Sequence, residues 1–304
     1  MRTNAGWMIT GLLLLAGAFI SAAGCSGGSE EFEADPSTSP LPGGSVAPQN
    51  CGSAIFDPVP PLRCDSLATD APAASVDGLP DGYWTGRFVD ETQDVQGYMM
   101  ALVAGDGRFQ LQTYRNNETN LCHNWEAALT GKMTTAGNAL SGNGRIIALI
   151  PTLADGTQAA DLQIDGVVAE RDSLTGTWTA SSSDAGCFVL DQYWSSDYEA
   201  TSALGNLAGV WTDHYSPAAT QLSVDATGTL SGSDRHGCKW TGHFGLVDDR
   251  YSLYELEAEL QSCERSGQYT GLAWHGPGWD PGEYWLQIRG DDGNQALVVN
   301  FSSR

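Results

Sequence analysis

From residue 81 to the end of the chain, apolar and polar side chains alternate in short runs separated by Gly, Asp and Asn. The clearest run places Tyr254, Leu256, Ala258 and Leu260 on one face and Glu255, Glu257 and Glu259 on the other. A period of two describes a strand with one buried and one wet face. The three glutamates read as a solvated exterior that resists edge-to-edge pairing. No long segment carries a 3.6-residue period, so the body is predicted to be β throughout. Strands are predicted near 209–215, 219–225, 229–234, 238–247, 251–262, 267–275, 283–289 and 295–302. The preceding stretch accommodates about eight more, with longer loops.

The two stretches repeat one another. Gly82-Tyr83-Trp84-Thr85 returns as Gly209-Val210-Trp211-Thr212, and the Gly105-Asp106-Gly107 turn returns around Asp225 to Gly228. Cys122-His123-Asn124-Trp125 is followed in the same order by Cys238-Lys239-Trp240, and Ser173 to Trp178 by Gln268 to Trp274. Two divergent copies of one domain are therefore expected, over 81–200 and 204–304. Eight short antiparallel strands joined by tight turns suit an up-and-down β-barrel, with a β-sandwich as the alternative. The fold class expected is all-β, with two tandem eight-stranded barrels.

The Gly-x-Trp that opens each copy resembles the first strand of lipocalin and avidin-like barrels, in which the Trp plugs the barrel floor. Leu207 to Thr212, followed by Asp225 to Gly232, resembles the first hairpin of avidin-type proteins. This resemblance implies a barrel. The full set of biotin-contacting residues is not matched, so biotin is not expected. The order of the repeats is also similar to two-repeat lipoproteins of Gram-negative bacteria.

The first 24 residues have a different pattern. One early cation, Arg2, precedes an apolar run from Ile9 to Ile20 and a small-residue exit, Ser21-Ala22-Ala23-Gly24. A positive start, a short apolar run and small residues at the exit describe a secretory signal peptide. Cys25 directly after Ala23-Gly24 resembles the lipobox of bacterial lipoproteins, with Ala22 where that family usually has Leu. The resemblance implies lipidation of Cys25. Ser26 after it implies the outer membrane, with the body facing the periplasm or the cell surface. Residues 26–50 are rich in Ser, Gly, Pro and Glu. Together with the Pro-rich stretch to 80 they read as a disordered acidic tether, because they bury too little apolar surface to offset ordering.

Setting Cys25 aside leaves Cys51, Cys64, Cys122, Cys187, Cys238 and Cys263, an even set suited to disulfides in an exported chain. A Cys51–Cys64 bridge would close a short Pro-stiffened loop, although other pairings stay open. Cys238 and Cys263 fall on neighbouring predicted strands and can staple a hairpin, which leaves Cys122 and Cys187 to pair in the first copy.

The net charge of −23 is spread along the chain, roughly −7 over 26–80, −10 over 81–203 and −7 over 204–304. Only two lysines occur, Lys132 and Lys239. No basic patch exists to meet phosphates, which argues against nucleic acid. An anionic membrane would repel the body, so membrane partnership is expected through the lipid anchor alone. The histidines, His123, His214, His236, His243 and His275, form no metal-ligand spacing, and no cofactor is expected. No Gly-x-Ser-x-Gly elbow appears.

The strongest binding candidate is aromatic. Trp274, His275, Trp279, Tyr284 and Trp285 cluster around a Gly/Pro loop. Such a group suits a glycan, an envelope protein or a small apolar ligand, unless it simply caps a barrel end. The expected role is binding or structural support in the cell envelope. The rival is an envelope glycan hydrolase or other hydrolytic enzyme, which requires two facing carboxylates.

Overall fold

The computed structural model describes residues 62–67, 81–117, 120–149, 152–169, 172–192, 198–213, 220–234, 237–278 and 281–303. The signal segment, Cys25, Cys51 and most of the tether lie outside these residues. Within them the chain forms two closed antiparallel barrels of eight strands each. Barrel one comprises β1 (Gly82–Asp90), β2 (Val95–Val103), β3 (Arg108–Asn117), β4 (Asn120–Ala136), β5 (Ala139–Ala148), β6 (Ala159–Ala169), β7 (Ser173–Ala180) and β8 (Ala185–Gln192). Each strand pairs with the next, and β8 closes on β1. Barrel two comprises β9 (Gly209–Asp213), β10 (Thr220–Val224), β11 (Thr229–Asp234), β12 (Lys239–Leu246), β13 (Leu253–Gln261), β14 (Gly267–Pro277), β15 (Tyr284–Asp291) and β16 (Ala296–Ser303). It closes through β16 and β9, with Phe301 opposite Asp213 and Ser302 opposite Thr212.

The alternation read from the sequence explains the core. In β13 Tyr254, Leu256, Ala258 and Leu260 are all buried inside barrel two. The opening Trp of each copy, Trp84 and Trp211, is buried within its barrel. Trp211 Nε1 donates to the carbonyl of Leu207 at 2.8 Å. That carbonyl belongs to a 3-10 turn, Leu204–Leu207, just before β9. The turn and the indole together close this end of barrel two.

The hairpins use the turn chemistry their residues supply. Asp225 Oδ1 accepts from the backbone N–H of Thr227 at 2.8 Å and of Thr229 at 3.0 Å, while Gly228 takes a φ of 89°. The matching turn in barrel one places Gly107 at φ 87°. An Asp acceptor followed by a residue in the left-handed region makes a tight hairpin. In barrel one, β4 and β5 approach closely where Gly131 faces Gly144. A Cβ on Gly144 would lie 1.8 Å from the Thr130 carbonyl oxygen.

The repeat correspondence fails at one place. The Trp178 segment is the seventh strand of barrel one, whereas the Trp274 segment is the sixth of barrel two. Trp178 lies two residues after Gly176 and points inward, while Trp274 lies three residues after Gly271 and points outward. One added residue in a period of two moves the side chain to the opposite face.

Trp274 is nonetheless buried, because the outer wall of barrel two packs on that of barrel one. Its ring stacks on Tyr83 with centroids 4.9 Å apart, in a cluster with Leu102, Leu253 and Leu272. Farther along the seam Ala128 and Ile147 meet Ala296. Polar contacts flank these clusters. Arg108 Nη2 donates to Glu255 Oε1, and Gln110 Nε2 donates to Thr130 Oγ1 at 2.8 Å and Asp291 Oδ2 at 3.3 Å. Glu255 therefore reaches the other barrel, in contrast to the wholly solvated face expected for the β13 glutamates. The pair is half exposed and adds little stability. The seam is held by its aromatic and aliphatic groups.

The disulfides correct part of the expected pairing. Cys238 is bonded to Cys263, stapling β12 to the loop after β13 as anticipated. Cys187, however, is bonded to Cys64 across 123 residues of chain, which excludes both the Cys122–Cys187 and the Cys51–Cys64 pairings. Cys187 faces outward on β8 between Val89 and Thr177, and it is buried under the short turn Cys64–Ser66. The bridge thus pins the segment before β1 to the wall of barrel one. The side chain of Cys122, on β4, lies outside the described residues.

Candidate functional site

A ligand inside either barrel would need empty space there. Barrel one is filled by Trp84, Phe88, Met99, Phe109, Met133 and Phe188 among others. Barrel two is filled by Trp211, Trp240, Phe244, Tyr254, Tyr269 and Phe301 among others. Trp240 meets Phe301 edge-on at 6.3 Å, bridging β12 and β16 across the lumen. These side chains pack the lumen and leave the outer surfaces for recognition.

The five aromatic candidates divide. Trp274 belongs to the seam against Tyr83, which takes it out of any exposed ligand platform. Trp285 is partly buried against the same cluster. Trp279 lies outside the described residues. His275 and Tyr284 remain together at the end of barrel two closed by Leu204–Leu207. Their rings stack at 5.4 Å with 11° between planes, and His275 meets Trp211 edge-on at 5.6 Å. The His275 ring is thus held between two aromatic rings. Ser252 Oγ donates to the His275 carbonyl and fixes the backbone of this position.

Burial lowers the His275 pKa to about 4 from an ordinary 6.5, so the ring is neutral at neutral pH. The unfolded chain takes up a proton at this ring below its ordinary pKa, whereas the folded chain does not until about pH 4. Stability is therefore full above pH 6.5 and falls as the pH drops through that window. The expected loss is roughly 2 kcal/mol by about pH 5. Urea melts at the two pH values check it. His275→Gln should flatten this part of the profile, and an unchanged profile would show that the ring is not buried.

The same end collects exposed apolar surface. Among the described residues, Val210, Leu246 and Tyr284 are the most exposed large apolar residues, at 54%, 41% and 48%. Val210 begins β9, Leu246 ends β12 and Tyr284 begins β15, so all three lie at one end of one barrel. Acidic groups lie close to this end. Asp248 lies in the adjoining turn, and hydrogen bonds from Arg250 hold its carboxyl at about 2. Asp249 follows it, and Glu283, immediately before Tyr284, is buried.

The buried acids are dispersed. Asp184 accepts from Ser182 Oγ at 2.6 Å, from Gln93 Nε2 at 3.0 Å and from the Ala154 N–H at 3.0 Å, tying three loops over one end of barrel one. Asp234 accepts from the Cys238 N–H at 3.0 Å and faces Arg265 at 3.5 Å near the Cys238–Cys263 bridge. Glu283 lies at the opposite end of barrel two. These three do not form the facing pair that glycoside hydrolysis requires.

Sequence reasoning missed a concavity of about 750 Å³ on the outer wall of barrel one, crossing β4 to β7. Its side chains had looked like ordinary solvated strand positions, with no motif to group them.

No protein-family model matches the chain, and no curated protein matches it significantly. Among solved structures the chain is similar to isotype 1 transferrin binding protein B from serogroup B Neisseria meningitidis, at 11% identity and a TM-score of 0.25. The match covers 68% of this chain and 65% of that one, less than two thirds of its length. A likeness of that size carries no argument about function, which is read from this chain's own geometry.

Proposed function

We propose that the chain is a cell-envelope lipoprotein, anchored in the outer membrane through Cys25, that binds a protein partner at the closed end of barrel two. The observation that carries the binding reading is that the large exposed apolar side chains among the described residues, Val210, Leu246 and Tyr284, stand on β9, β12 and β15 around that one rim. Exposed apolar side chains spread around one barrel rim suit a broad protein contact better than a small-ligand pocket. The net charge of −23 favours a partner with a basic face. The filled lumens turn the reading away from a small apolar ligand. The anchor is supported by the Ala22-Ala23-Gly24-Cys25 exit and by the even set of six further cysteines.

The test is site-specific photo-crosslinking in intact envelopes of the full chain. A crosslinker at position 284 is expected to give a discrete adduct with another protein, while one at Ser231, on the exposed wall of β11, gives none. Cys25→Ser is expected to release the protein from the membrane fraction. Equal adducts at 284 and 231, or a 284 adduct only with a second copy, would overturn the binding site. Retention of the Cys25→Ser protein in membranes, with unchanged lipid labelling, would overturn the anchor.

A further inference from the structure

We infer that the concavity on the outer wall of barrel one is a binding groove for a neutral oligosaccharide. It is separate from the aromatic end of barrel two and does not depend on it. Its lining comes from four consecutive strands and the turn that follows them: Lys132 and Thr134 on β4, Ser141 and Asn143 on β5, Asp161, Gln163 and Asp165 on β6, Thr179 on β7, then Ser181.

The register arranges these groups in rows. Lys132 is opposite Asn143, Asn143 opposite Gln163, and Gln163 opposite Thr179. The adjacent row runs from Thr134 through Ser141 to Asp165. Neighbouring strands lie about 4.8 Å apart, and successive outward side chains on one strand about 6.7 Å apart. The result is a grid of polar groups on rigid strands. Several members are already oriented. Gln163 Nε2 donates to Asp165 Oδ2 at 3.0 Å, which leaves the Gln163 carbonyl oxygen turned away from that bond. The Asp161 N–H donates to Ser181 Oγ at 3.0 Å, so the Ser181 hydroxyl proton remains available.

The chemistry selects the ligand class by exclusion. Leu162 and Ala180 in the lining belong to the inward faces of their strands, so the groove offers no exposed apolar side chain to anchor a helix or a lipid. Strands β4 to β7 are paired on both sides in the closed barrel, so no free edge exists for an added peptide strand. Asp161 and Asp165 against Lys132 leave a net charge of one negative unit, which disfavours anions and gives a polycation only weak attraction at these exposed positions. No group of three acidic, His or Cys side chains suited to a metal ion occurs among the described residues. What fits is a ligand whose groups both donate and accept hydrogen bonds and carry no charge. Sugar hydroxyls do this, pairing with acceptor-only carboxylates and with donor-and-acceptor amides.

The experiment is an NMR titration of the folded, disulfide-intact protein, following the side-chain amides of Asn143 and Gln163. The probes are chitotetraose, cellotetraose and maltotetraose at millimolar concentration, with trilysine as a cationic peptide control. At least one tetraose is expected to shift both amides saturably. The Asp161→Asn/Asp165→Asn variant, changed only at exposed positions, should keep its melting temperature and weaken that binding at least tenfold. The Tyr284→Ala variant should bind the sugar as the parent does. No saturable shift with any tetraose, a larger response to trilysine, shifts confined to the Tyr284 end, or unchanged affinity in the double variant would each overturn the proposal.

Discussion

Replacing Cys64 and Cys187 together by alanine is expected to lower stability by about 3–5 kcal/mol, more than loss of the other bridge among the described residues. The bridge closes 123 residues, whereas Cys238–Cys263 closes only 25. In the chain-entropy account a longer loop restricts the unfolded chain more. Loss of the bridge also frees the Cys64–Ser66 turn from the wall above Cys187 and Val89, a site buried in the folded protein. Denaturant melts measure the total, and hydrogen exchange by mass spectrometry locates it. Protection should fall first in β8 and β1, which pair beneath the bridge. A loss no larger than that of the Cys238→Ala/Cys263→Ala protein would contradict the assignment.

Trp274→Ala is expected to cost about 3–5 kcal/mol, the range for removing a large buried aromatic side chain. The effect should appear at the seam and leave the barrel two interior intact. Trp274 points away from the lumen and stacks on Tyr83 of the other barrel. Hydrogen exchange should therefore accelerate in β1, β2 and β14, the strands that carry Tyr83, Leu102 and Trp274, while β12 and β13 keep their protection. An exposed ligand-stacking Trp behaves differently. Its removal leaves stability within about 0.5 kcal/mol. The double substitution Tyr83→Ala/Trp274→Ala should lose less than the sum of the singles, because the two rings share one contact.

These two residues show where the sequence was legible. The strands of barrel two could be placed from alternation because each has one face in the lumen, and Tyr254 to Leu260 display that face without interruption. The opening Trp of each copy was legible from its place after Gly-x at the start of a strand, repeated in both copies. The Cys238–Cys263 bridge followed from adjacency, since its partners lie on one hairpin. Cys64–Cys187 did not, because nothing local to Cys64 specifies a partner on β8.

The burial of Trp274 was hidden by a different cause. Outward positions read as wet or as exposed aromatics until another barrel covers them. Leu272, Gln287, Arg289 and Asn300 share this fate: all face outward from β14 to β16 and all are buried. Arg289 is accommodated by donating to the Ile288 and Val299 carbonyls at 2.8 and 3.1 Å and to Asn300 Oδ1 at 2.8 Å. A period of two tells inside from outside for one barrel. It carries no information about which outer wall meets a neighbour. The groove on β4 to β7 was hidden in the same way, as polar positions whose grouping depends on register across four strands.

The proposed recognition takes place on the outside of barrels whose lumens are filled. Titrating the protein with a small apolar fluorophore, while following tryptophan emission, tests it most directly. Trp211 and Trp240 lie inside barrel two, and Trp84 and Trp178 inside barrel one. Filled lumens should give no saturable quenching of this emission and no one-to-one uptake. Saturable one-to-one uptake, with quenching lost on replacing a lumen residue such as Ala258 by Leu, would contradict it.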